Sequence, residues 1–154
     1  MKSTEKPDDV WSTFALSIFK LNGLLMRVGE DITQAIGQSS ARWQVLGRAY
    51  EPQTVANMAR DIGHTRQSVQ RVADVLAREG LVVYKDNPAD RRAQLLELTP
   101  QGLEVLTAIY IRQQEWSQRI MTKLNPEQLV EIADALEDIG QRLESDVNAS
   151  NKGD

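Results

Sequence analysis

Between residues 54 and 98 the hydrophobic pattern passes from a helical period to a period of two, and glycine marks each break. Thr54 precedes a short helical stretch, 55–61, whose Val55, Met58, Ala59 and Ile62 share one side; Gly63 ends it in the manner of a left-handed C-cap. Thr65 then caps a second helix, 66–79, with Val69, Val72, Ala73, Val75 and Leu76 on its apolar face and Gly80 as its stop. Two short helices joined by a glycine-containing turn are the signature of a helix-turn-helix. After Gly80 the stretch 81–85 reads as a strand and 93–98 as its antiparallel partner, with the charged, turn-rich loop 86–92 between them. A hairpin with a basic tip directly after a helix-turn-helix predicts a winged helix. One more short helix, 41–49, capped by Ser40 and carrying Trp43, Val45 and Leu46, is expected ahead of it, followed by a turn at Glu51-Pro52.

The flanks are built differently. Trp11, Phe14, Ile18, Leu21, Leu25, Val28 and Ile32 follow a 3-4-3-4 spacing along a long first helix. A second seam, Leu129, Ile132, Leu136, Ile139 and Leu143, closes the chain behind Asn125-Pro126-Glu127-Gln128, where Asn caps and Pro takes the first helical position. Thr99-Pro100 opens another helix in the same way, with Leu103, Leu106, Tyr110, Trp116 and Ile120 among its apolar positions. Seams this long, with nothing in a chain of 154 residues to cover them, favour a two-fold homodimer over an intramolecular bundle.

What is missing narrows the chemistry. There is no cysteine, hence no disulfide, thiolate metal site or cysteine nucleophile, and the single histidine, His64, excludes any site that needs two imidazoles. Neither phosphate-cradling glycine loop of the nucleotide-binding enzymes occurs. An enzyme is therefore not expected, nor a cofactor or a bound metal. His64 sits just before the cap Thr65, where packing against Val69 is the expected role. No apolar run is long enough to span a bilayer and the charged N-terminus does not resemble a secretory signal, so a cytoplasmic protein without membrane contact is expected.

The net charge of −4 argues against nucleic acid until its distribution is considered. Residues 42–92 hold nine basic and six acidic side chains, a net +3; the remainder holds nine against sixteen, a net −7. Within that basic centre, Thr65, Arg66, Gln67, Ser68, Gln70 and Arg71 crowd the first two turns of the helix after the turn, the part of a recognition helix that meets base edges. Arg pairs with guanine O6 and N7, and Gln with adenine N6 and N7. A cationic first turn opposes the helix dipole, a local cost that makes sense if a polyanion approaches. In the loop, Asp90 stands two residues before Arg92, close enough to orient its guanidinium toward a narrow minor groove, with Arg91 free for a phosphate. The bland alternative for both features is an ordinary solvated surface.

These residues resemble the MarR (multiple antibiotic resistance regulator) family of bacterial transcription factors. The resemblance rests on TRQSVQRVADVLAREGLV, on the wing DNPADRRA and on ELTPQG, which matches the family's Leu-Thr-x-x-Gly exit; the long terminal helices extend it over nearly the whole chain. It implies a triangular homodimer with two winged lobes, each reading half of a pseudo-palindrome in double-stranded DNA. Arg92 then falls at the family's wing-tip arginine and Asp90 at its supporting aspartate. Many relatives answer to phenolic ligands bound between the two regions. The aromatic candidates for a small-molecule effector site are Trp11, Trp43, Tyr110 and Trp116, for which core packing is the competing role.

The expected fold class is therefore mainly α with a small β-hairpin wing, a winged helix-turn-helix with long N- and C-terminal dimerisation helices. The expected organisation is a flexible tail at 1–9, a dimerisation region from 10–36 and 100–146, the DNA-binding domain at 40–98, and a flexible tail at 147–154. The expected function is a homodimeric, sequence-specific DNA-binding transcriptional regulator, a repressor in the first instance. Its rival is a winged-helix protein–protein module that does not bind DNA.

Overall fold

The computed structural model describes residues 7–150. The elements run α1 (Pro7–Gln34), α2 (Ser40–Arg48), β1 (Gln53–Thr54), α3 (Val55–Ile62), α4 (Arg66–Arg78), β2 (Val82–Lys85), β3 (Leu95–Leu98), α5 (Pro100–Met121) and α6 (Pro126–Ser150). The chain divides into two compact units, Met1–Gln113 and Gln114–Asp154.

In the first unit the caps lie where short-range chemistry puts them. Thr54 accepts from the Asn57 N–H and Thr65 from the Ser68 N–H, and both are extended, as N-caps are. Gly63 and Gly80 adopt φ of 74° and 75°, and the residues after them, His64 and Leu81, donate back to Ala59 and Leu76. Each helix thus ends in a 6→1 closure that a residue with a Cβ makes only under strain. The core is that of the winged helix: Leu46 on α2, Met58 on α3, Ala73 and Leu76 on α4 and Leu96 on β3 are fully buried, joined by Leu106 and Ile109 from α5.

Two local expectations give way to tertiary contacts. The cap of α2 is Ser39, not Ser40. Ser40 is buried and its N–H donates to Glu30 Oε1 at 3.1 Å, so the end of α1 decides which of two adjacent serines enters the helix. The hairpin also acquires a third strand. β1 pairs with β3 in the order β1-β3-β2, Gln53 opposite Leu96 and Thr54 opposite Leu95. Two residues carry no hydrophobic period, so only the pairing reveals them as a strand.

α5 starts against the hairpin. The Thr99 hydroxyl donates to the Gly80 carbonyl at 2.6 Å and accepts the Gly102 N–H at 3.0 Å, while the Thr99 N–H donates to the Leu81 carbonyl at 3.1 Å. This is the physical content of the Leu-Thr-x-x-Gly sequence: Thr fastens the helix start to the residues that close α4, and Gly lets the two backbones approach.

The long seams stay largely uncovered within the chain. Of the α1 seam only Ile32 is buried; Trp11, Leu21 and Leu25 are about half exposed, and Phe19, off the seam, is 72% exposed. In the second unit α6 buries no residue, though Asn125 caps it as expected by accepting from the Glu127 and Gln128 N–H groups. α1 begins at Pro7 and α6 reaches Ser150, so parts of both expected tails are helical; 1–6 and 151–154 lie outside the described residues. Among the described residues no helix is long and apolar enough to cross a membrane.

Arg42 of α2 holds the end of α4 through both Glu79 carboxylate oxygens. That bond holds the Glu79 carboxyl below its ordinary value of 4.5. A depressed carboxylate contributes stability above its ordinary value and loses it as pH falls through the folded-state value. The stability difference between the unsubstituted protein and Glu79→Gln is therefore expected to shrink as pH drops below 4.5, as read by denaturant midpoints across that window. A gap independent of pH would mean the pair does not act as a tether.

Candidate nucleic-acid interface

Arg66, Gln70 and Asp74 stand one turn apart on α4 and face the wing across an open cleft of 280 Å³. Tyr84 on β2, Arg92, Ala93 and Gln94 where the wing loop returns toward β3, and Thr54–Ala56 at the start of α3 complete its lining. Arg66, from the helix, and Arg92, from the wing, are therefore brought to one surface, although 26 positions separate them in the chain.

The other residues proposed from sequence divide by what they touch. Gln67 and Arg71 are exposed, with no side-chain hydrogen bond or ion pair among the described residues. Thr65 spends its hydroxyl oxygen on the cap, and Ser68 donates its own hydroxyl to the Thr65 carbonyl at 2.9 Å. Ser68 turns toward a small groove of 80 Å³ between α2, α3 and α4. His64 borders the same groove with Val69 and Val72 but is itself exposed.

The wing loop corrects one expectation. Asp90 does not hold the Arg92 guanidinium; its carboxylate accepts the Arg92 backbone N–H at 2.9 Å. Asn87 does the same for the Ala89 N–H at 3.0 Å, and the Ala93 N–H closes onto the Asp90 carbonyl. Two successive Asx-turns shape the tip, and the short side chains act on the main chain rather than on one another. Arg91 and Arg92 are exposed and carry no ion pair among the described residues. Lys85, counted in the basic centre, pairs with Glu97 at 2.8 Å, and Arg42 with Glu79, so the cations left to face a polyanion are concentrated on α4 and the wing.

Sequence reasoning missed Asp74 and Tyr84. Gln70 Nε2 donates to Asp74 Oδ1 at 2.9 Å and to Tyr84 Oη at 2.7 Å, and the Tyr84 hydroxyl donates to Asp74 Oδ1 at 2.7 Å. The hydrogen bonds from Tyr84 and Gln70 hold the Asp74 carboxyl below the usual carboxylate range; burial, reinforced by Asp74, pushes the Tyr84 hydroxyl upward. The four-residue step from Gln70 to Asp74 is visible in the sequence. Tyr84 joins them only because β2 folds back along α4.

The aromatic candidates for an effector site are dispersed over three helices, Trp11 on α1, Trp43 on the short α2, and Tyr110 and Trp116 on α5. Trp11 packs on Phe14, ring centroids 5.8 Å apart. Trp43 and Gly47, one turn apart on α2, lie beside Gly29 of α1 and the Tyr110 hydroxyl respectively, so Trp43 and Tyr110 border the same side of α2. Trp116 belongs to the second unit, on the last turns of α5, and is half-buried.

A helix-turn-helix, a three-stranded wing and long flanking helices define a winged-helix fold. The model of the MarR family matches residues 41–93. An uncharacterised protein of Mycobacterium tuberculosis (strain ATCC 25618 / H37Rv) is 40% identical over 120 residues, covering 77% of this chain and 84% of that one. Among solved structures, the transcriptional regulator BldR from Sulfolobus solfataricus has a TM-score of 0.77 at 21% identity, over 90% of this chain and 99% of its own. The complex of Staphylococcus aureus MepR with DNA has a TM-score of 0.71 at 16% identity, over 84% and 97%. These two likenesses concern the fold. The chain belongs to the MarR family, whose members are winged-helix transcriptional regulators.

Proposed function

We propose that the protein is a homodimeric regulator of transcription, a repressor, that reads a pseudo-palindromic operator in double-stranded DNA. The observation that carries this reading is the convergence of Arg66 and Arg92 on one cleft between α4 and the wing, next to the exposed Gln67 and Arg71. α4 would enter the major groove by its first two turns, Arg66 and Gln70 toward base edges and Arg71 toward the phosphates. Arg92 would enter the adjoining minor groove, its backbone already set by Asp90. That a S. aureus protein of the same fold binds DNA supports the assignment.

The homodimer is supported by the uncovered seams of α1 and α6, whose exposed Leu21, Leu25, Ile132 and Leu143 need a second surface. In this reading 10–36 and 100–146 form the dimerisation region and 40–98 the DNA-binding domain. A small aromatic effector that alters the spacing of two lobes would bind beside Trp43 and Tyr110, which border the same side of α2.

The test is selection of bound fragments from the source genome by the purified protein. A short inverted repeat, enriched reproducibly and weakened as salt rises, is the expected result. Absence of any enriched sequence at low salt, together with a salt-insensitive affinity for duplex DNA, would overturn the DNA reading in favour of a protein-binding winged helix.

A further inference from the structure

We infer that Tyr84 and Asp74 are positioning residues that turn the Gln70 side-chain amide in advance, nitrogen inward and oxygen outward, so that Gln70 selects an amino-bearing base. The inference rests on the DNA-binding reading above and adds to it the base class that one side chain chooses.

The argument starts from an oddity. Asp74 is an acidic side chain on the same face of α4 as Arg66 and Gln70, where a polyanion would approach, and charge alone disfavours it there. Its hydrogen bonds explain its presence. Asp74 Oδ1, Tyr84 Oη and Gln70 Nε2 form a closed triangle with sides of 2.7 to 2.9 Å. An ionised carboxylate has no hydrogen to give, so both partners must turn donors toward it. The Tyr84 hydroxyl spends its one hydrogen on Asp74 and presents a lone pair to Gln70. The glutamine amide must then bring its nitrogen, not its oxygen, to the triangle. The same bonds hold Asp74 ionised, so the polarity persists through the physiological pH range.

Gln70 Oε1 is left without a donor among the described residues, at a cleft whose other polar residues include Arg66 and Arg92. A free glutamine amide samples two orientations half a turn apart, offering an acceptor in one and a donor in the other. Held as it is here, it leads with the acceptor. In the major groove that acceptor is satisfied by the adenine N6 or cytosine N4 amino group and repelled by guanine O6 or thymine O4. The expected preference is therefore for A or C over G or T at one position of each half-site, on the strand that Gln70 meets. Presetting one of two orientations, and the side-chain entropy saved with it, is expected to add about three- to tenfold to that discrimination.

The experiment selects from randomised duplexes at fixed salt with the full-length protein and Gln70→Ala, Tyr84→Phe and Asp74→Asn, using the preferences at all other positions as the internal standard. Thermal melts identify any variant that fails to fold. In the unsubstituted protein one position per half-site should favour A or C, and Gln70→Ala should erase that preference alone. Tyr84→Phe keeps the ring and removes the hydroxyl; it should weaken the same preference by about three- to tenfold. Asp74→Asn can present either end of its own amide, so G or T should become tolerated at that position. Loss of the preference in Gln70→Ala while both other variants keep it in full would overturn the positioning role and leave DNA reading intact. A uniform weakening at every position in Tyr84→Phe would also overturn it, by reducing Tyr84 to a packing role. Selection of no sequence by the unsubstituted protein would remove the DNA reading and this inference with it.

Discussion

Replacing Arg92 by alanine is expected to lower affinity for operator DNA by about ten- to a hundredfold at fixed salt, with the oligomeric state unchanged in sedimentation. Arg92 is exposed at the wing, its guanidinium carries no ion pair among the described residues, and its backbone is pinned by the Asp90 carboxylate. Little of its binding energy would thus be spent on fixing the loop. The slope of log affinity against log salt should become shallower by about one counterion per site if the guanidinium lies close to phosphates in the groove. The exposed seams of α1 and α6, proposed above as the dimer surfaces, are remote from it in sequence, so assembly is a fair control. An unchanged titration would sink the role given to the wing, whatever the selection experiment finds for α4.

The second large effect concerns folding. A Cβ built on Gly102 would lie 1.8 Å from the Leu81 carbonyl oxygen and 2.9 Å from its carbon. Both are backbone atoms, and Leu81 is itself held from two sides, by its own N–H on Leu76 and by the Thr99 N–H on its carbonyl. Neither partner can retreat without opening the end of α4 or the start of α5. Gly102→Ala is expected to destabilise the protein by about 3 kcal/mol or more, with a drop of roughly 10 °C in melting temperature. Gly23→Ala on α1, where nothing lies within 4 Å, is the control, and its helical gain is about 0.5–1 kcal/mol in the other direction. Equal stability of the two variants would show that α5 does not approach the hairpin as described.

Much of the fold was legible because the interactions that define it are short. Thr54, Thr65 and Asn125 reach N–H groups two or three residues ahead, and Gly63 and Gly80 close turns on carbonyls just behind them. Such contacts need no tertiary partner, so sequence spacing is enough to place α3, α4 and α6. The site was legible in part for the same reason: Arg66, Gln67 and Arg71 are exposed because Val69, Ala73 and Leu76 must face the core. The spacing pairs Asp90 with Arg92, but the atom that Asp90 holds is the backbone N–H and not the guanidinium. A short carboxylate two residues away reaches a backbone N–H more readily than the end of a long flexible side chain.

By itself, then, the sequence determined the winged helix, the helix that faces outward and the arginine-tipped loop, all through periodicity and caps that act within a turn. Tertiary structure alone decided which serine starts α2, why residue 102 must lack a side chain, and how Gln70 is turned. Each of these depends on a partner brought from another element: Glu30 ten residues before Ser40, the Leu81 carbonyl under α5, and Tyr84 fourteen residues after Gln70. Hydrogen-bond polarity and van der Waals exclusion act over about 3 Å, and only a folded chain brings such distant residues that close.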